Sequence, residues 1–84
     1  MSTVVAVLGA EAARRSLAQF DGYDEIVVLE PSVDALEGLL VELADPRLDY
    51  VLGALPVLPL PDRSVDLVIG ADADDPEVAR VLRS

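Results

Sequence analysis

Carboxylates dominate the chemistry open to this chain. Sixteen acidic side chains stand against six basic ones, all of them arginine, for a net charge of −10 over 84 residues. Asp72, Asp74 and Asp75 crowd together, and clustered carboxylates can ligate Ca²⁺ or Mg²⁺. The run from Asp72 to Glu77 lacks the glycine and the distal acid of a calcium loop, so helix capping and solvation are the expected roles and no metal site is expected. Arg14 and Arg15 read as exposed helix residues rather than an anion clamp. With neither His nor Cys, no Ser–His or Cys–His nucleophile can be assembled. Reactions that rest on positioning alone stay open.

The elements that must hold these groups are short. Thr3–Leu8 reads as a continuous apolar run (Val-Val-Ala-Val-Leu) ended by Gly9, the pattern of a strand covered on both faces. Glu11–Phe20 reads as a helix with Ala13, Leu17 and Phe20 on one face, broken by Asp21-Gly22. Glu25–Glu30 is a second buried strand. Ser32 caps a helix running to about Ala44, with Val33, Leu36, Leu40 and Leu43 as its apolar stripe, and Asp45-Pro46 stops it. Leu48–Leu52 is a third strand. Pro56, Pro59 and Pro61 keep Ala54–Ser64 extended and irregular. Val65–Ile69 is a fourth strand ended by Gly70. Asp75, Pro76 and Glu77 then start a last helix carrying Val78, Val81 and Leu82. This alternation predicts an α/β layer structure with parallel strands and right-handed crossovers.

A domain of 84 residues buries a small core, yet 52% of its residues are hydrophobic, which points to apolar surface that meets a partner. No cysteine is present to staple it, so oligomerisation is the expected source of added stability. The acidic balance repels phosphate backbones and anionic lipid, so neither nucleic acid nor membrane is an expected partner. No apolar run reaches the roughly 20 residues of a membrane span, and the N-terminus lacks the basic region of a secretory signal; a cytoplasmic location is expected. The absence of lysine and asparagine is a codon signature expected of a GC-rich bacterial genome.

Gly53-Ala-Leu-Pro-Val-Leu-Pro-Leu-Pro-Asp-Arg-Ser-Val-Asp-Leu-Val-Ile69, followed by Val78-Ala-Arg-Val-Leu-Arg83, resembles the middle of a class I S-adenosylmethionine-dependent methyltransferase. The resemblance extends over nearly the whole chain and implies a single Rossmann-like half-domain over residues 1–84. It implies a four-stranded parallel sheet ordered 3-2-1-4, with helices on its faces. In that family the first strand leads into a Gly-x-Gly-x-Gly turn that lets backbone approach the cofactor. Here the segment is Val7-Leu8-Gly9-Ala10-Glu11-Ala12-Ala13. Gly9 remains, while Glu11 and Ala13 stand at the second and third glycines. Glu11 would fill cofactor space and set a carboxylate near the methionine carboxylate. Glu30 matches the strand-end acid that binds ribose hydroxyls. Ala54 stands where the family places an adenine-contacting Asp. The proline loop and Val65-Asp66-Leu67-Val68-Ile69, which shape the sheet, are kept.

Two readings follow. The first is a methyltransferase-like protein that has lost catalysis, with no cofactor expected, acting as a structural or interaction module. Its contact would be a homodimer through the strand at 65–69, or a protein partner at the same edge, because that strand is interior in the longer family members. The alternative is a minimal S-adenosylmethionine-binding methyltransferase completed by its dimer. Gly9, Glu30, Leu55 and Gly70 would then line the cofactor cleft.

Overall fold

The computed structural model describes residues 3–16, 19, 21–43, 46–55, 57–72 and 74–83. The elements run β1 (Val4–Leu8), α1 (Ala10–Ser16), β2 (Glu25–Glu30), α2 (Val33–Glu42), β3 (Leu48–Leu52), β4 (Leu67–Ile69) and α3 (Pro76–Val81). Four strands form one sheet in the order β3-β2-β1-β4. All pairs are parallel: Val4 lies beside Glu25, Ile26 beside Leu48, and Val5 beside Leu67. This is a Rossmann-like half-domain, as the family resemblance implies, with the parallel α/β layers that the alternation of elements predicts.

The apolar runs build both sides of the sheet, because successive strand residues point to opposite faces. Val5, Val7, Ile26, Val28 and Leu48 face a core closed by Ala10 and Ala13 of α1 and Leu39 of α2. Val4, Ala6, Val27 and Leu29 face a second core closed by Leu58 of the proline loop, by Val65 and by Val81 of α3. A helix pair on one face and a loop with a helix on the other is the doubly wound pattern. The change of side falls between β1 and β4.

Polar contacts fix the ends. The Asp66 carboxylate accepts from the Val4 N–H at 2.8 Å, while the Asp66 N–H donates to the Val4 carbonyl at 2.8 Å. Asp24 accepts from the Thr3 N–H at 2.9 Å. That backbone bond, with the Thr3 hydroxyl, holds the Asp24 carboxyl below its ordinary range. Arg80 ties α3 to the proline loop: it donates to the Leu58 and Leu60 carbonyls at 2.9 and 2.8 Å and to Asp62 and Glu77 at 2.6 Å each. Glu77 also accepts from the Leu58 N–H at 3.0 Å. The Arg80 guanidinium, helped by that N–H, lowers the Glu77 carboxyl, and Glu77 and Asp62 raise Arg80 in return.

Two features differ from the sequence expectation. The stripe of α2 is centred on Leu39, which is fully buried, whereas Val33 and Leu40 are exposed. The helix has turned so that Ala35 and Leu39, with Leu43 at the C-cap, pack on the sheet core, and Leu36 is half-buried beside them. The fourth strand is also shorter than Val65–Ile69. Its ladder with β1 spans Leu67–Ile69, while Val65 forms a parallel bridge to Leu82 on the opposite side. The Val65 N–H donates to the Val81 carbonyl at 3.0 Å, and the Arg83 N–H donates to the Val65 carbonyl at 2.9 Å. Leu17, Phe20, Ala44, Asp45 and Pro56, used in the sequence reading, lie outside the described residues.

Candidate functional site

Ligands of open α/β sheets bind beyond the carboxyl ends of the strands, where the winding changes side. Three of the four predicted residues meet there. Gly9 ends β1 with φ +102°, and its N–H donates to the Leu29 carbonyl at 2.7 Å. A Cβ built at Gly9 would meet no other atom within 4 Å, so the backbone faces open space. Gly70 ends β4 with φ +90° and lies against β1, where a Cβ would come within 2.5 Å of the Leu8 carbonyl oxygen. Two adjacent strands thus end in left-handed turns that only glycine adopts without strain.

Glu30 sits between them and the next helix. Its Oε1 accepts from the Ala10 N–H at 3.0 Å and its Oε2 from the Ser32 N–H at 2.8 Å. One carboxylate therefore braces the starts of both α1 and α2. Ser32 completes the second start by accepting from the Ala35 N–H at 3.3 Å. Leu55 goes elsewhere: it is half-buried and packs against the second core beneath the sheet. Ala54 closes a tight turn in which its carbonyl accepts from the Val57 N–H at 3.2 Å.

The segment in the place of a glycine turn is helical. Ala10 through Ala13 form the first turn of α1, with Ala10 and Ala13 buried and Glu11 exposed. Their side chains explain this: three alanines and a first-turn acid favour helix, and small residues fit closely over β1 and β2.

The acidic run serves the next helix. Asp72 accepts from the Asp74 N–H at 3.0 Å, and Asp75 caps α3 by accepting from the Glu77 N–H at 2.9 Å. Among the described residues no group of three potential ligands is placed to hold a metal ion. Arg14 pairs with Glu42 of α2 rather than waiting for an anion. The structural duties of Asp66 and Arg80 were missed in the sequence. The Glu77/Arg80 spacing of i, i+3 was the one legible signal for the latter.

No protein-family model matches the sequence, and no curated protein does. Solved structures do match. A chain in the complex between the Haloferax volcanii Trm112 methyltransferase activator and a candidate methyltransferase superposes with a TM-score of 0.76 over 96% of this chain, at 24% identity. A candidate methyltransferase from an antibiotic biosynthesis pathway of Anabaena variabilis superposes with a TM-score of 0.61 over 80% of this chain, at 28% identity. The chain spans 41% of the first and 26% of the second. The fold is methyltransferase-like, and no helix among the described residues is long and apolar enough to cross a membrane.

Proposed function

We propose that this methyltransferase-like half-domain does not transfer methyl groups and works through protein contacts, as a structural or regulatory module. The observation that carries the reading is the helical Ala10–Ala13 segment: the Ala10 N–H donates to Glu30, the Ala13 N–H donates to the Gly9 carbonyl, and Glu11 stands exposed in the first turn of α1. Glu11 adds a carboxylate where the cofactor's methionine carboxylate would lie, and like charges repel. The archaeal neighbour was solved with a protein activator, and that likeness supports a protein partner for this chain as well. A homodimer through residues 65–69 is one form of the contact. Alternation turns the main-chain groups of Leu67 and Ile69 away from β1, although Leu82 already takes the outer side of Val65.

A second reading keeps S-adenosylmethionine as cofactor, with Gly9, Glu30, Leu55 and Gly70 lining its cleft and a dimer completing the site. The open space at Gly9 favours it. Calorimetric titration with S-adenosylmethionine and S-adenosylhomocysteine separates the two. The first reading expects no binding; a dissociation constant below about 100 µM, about −5.5 kcal/mol, overturns it in favour of the second.

A further inference from the structure

The other edge of the sheet carries a surface that neither reading uses. β3 is the terminal strand of the sheet, hydrogen-bonded on one side to β2. The Arg47 carbonyl accepts from the Ile26 N–H at 2.9 Å, and the Gly53 N–H donates to the Glu30 carbonyl at 3.1 Å. Odd-numbered residues therefore bond inward, and alternation turns the main-chain groups of Leu48 and Leu52 outward.

An apolar shelf runs beside that edge. On α2, Leu39 faces the sheet, and Gly38 and Glu42 face Arg14 of α1. Continuing around the helix at about 100° per residue sets Leu36, Leu40 and Val33 on the flank away from α1, on the side of β3. The Tyr50 hydroxyl donates to the Leu43 carbonyl at 3.0 Å, joining strand and helix on this flank. Leu52 shares the face of Leu48 and Tyr50 by alternation. Val33, Leu40 and Leu52 are 53%, 55% and 54% exposed, costly positions for large aliphatic side chains unless something covers them.

Charge selects what covers them. Glu37 borders the shelf on α2, and the exposed Asp49 projects from the opposite face of β3. A second copy would bring the same acids and another net charge of −10 to the junction. We propose that the β3 edge takes up an extended strand from a partner protein, with aliphatic residues alternating with lysine or arginine. Its backbone pairs with β3, its aliphatic side chains lie on the Leu36–Leu40–Leu52 shelf, and its cations meet Asp49. The proposal rests on the protein-contact reading and gives it a surface and a partner chemistry.

The test is an NMR titration of the whole protein with the peptide Lys-Val-Lys-Ile-Lys-Val-Lys. A control peptide has the same composition with its lysines and aliphatics in separate blocks. Saturable amide shifts are expected at Leu48, Leu52 and Leu40, with the block peptide at least fivefold weaker. Leu40→Ser and Leu52→Ser, both at exposed positions, should each weaken binding severalfold while leaving the circular dichroism spectrum unchanged. Equal binding of both peptides, indifference to both substitutions, or shifts centred on Leu67–Ile69 would overturn the proposal. So would a micromolar dimer that Leu52→Ser dissociates, which would make the occupant a second copy. Tight S-adenosylmethionine binding beside intact peptide binding would sink the non-catalytic reading alone; absence of both would sink this surface alone.

Discussion

Replacing Gly70 with alanine tests the close approach of β4 to β1. Two penalties add at this position. A φ of +90° is strained for any residue with a Cβ, at about 1–2 kcal/mol. The added methyl would also lie 2.5 Å from the Leu8 carbonyl oxygen, so backbone must move, at a further cost of about 1–3 kcal/mol. Gly70→Ala should therefore cost about 2–5 kcal/mol, a large part of the roughly 5–15 kcal/mol that holds a typical domain folded. Gly9→Ala is the matched control. Its φ of +102° brings the same strain, but nothing lies within 4 Å of the new methyl, so only about 1–2 kcal/mol is expected. Gly22→Ala, with neither penalty, should be neutral or stabilise by about 0.4–1 kcal/mol. Urea unfolding followed by circular dichroism gives all three values from the midpoints and slopes. If Gly70→Ala and Gly9→Ala agree within about 0.5 kcal/mol, the contact with Leu8 is not what the geometry implies.

Other perturbations probe the polar braces. Glu30→Ala removes the acceptor for two N–H groups and should cost about 2 kcal/mol in urea unfolding, whereas Glu30→Gln, which keeps one acceptor oxygen, should cost less; equal stability of Glu30→Ala and wild type would refute the brace. Glu77 is held below its ordinary value of 4.5, so it binds its proton more readily in the unfolded chain. Its contribution is complete above about pH 4.5 and is lost as pH falls towards the depressed folded value. Stability should therefore fall with acid over that window, and Glu77→Gln should flatten that part of the profile. An unchanged profile would refute the Glu77–Arg80 linkage.

The sequence makes the sheet legible because β1 and β2 carry short, uninterrupted apolar runs rich in β-branched residues, the pattern of strands buried on both faces. It reads α2 less well. An apolar arc from Ala35 through Leu39 to Val33 is wider than one packing face, and periodicity cannot say which part meets the sheet. Val65 reads as strand because it is aliphatic and continues the run to Ile69, but it packs with Leu58 and Val81 on the second face, and its hydrogen bonds go to Val81 at the end of α3 and to Arg83 beyond it. At the candidate site, Gly9 and Gly70 announced themselves as strand-ending glycines. The double duty of Glu30 did not, since it joins Ala10 and Ser32, which are distant in sequence from each other and meet only in the folded sheet.

The switch of winding between β1 and β4 also shapes the order in which the sheet can assemble. Val4 finds Glu25 by closing a short stretch of chain, whereas the bond between Val4 and Asp66 closes 62 residues. Loop entropy alone makes the second closure about 1 kcal/mol dearer. The three strands β1, β2 and β3 can therefore form as a local unit, with β4, the proline loop and α3 docking afterwards as one piece held by Arg80. Amide exchange should report this directly, with Val68 opening at lower free energy than Val28; the reverse ranking would show that the distant pairing is the more durable one. Placing the first strand in the middle of the sheet leaves its earliest-made residues waiting for nearly the last ones described.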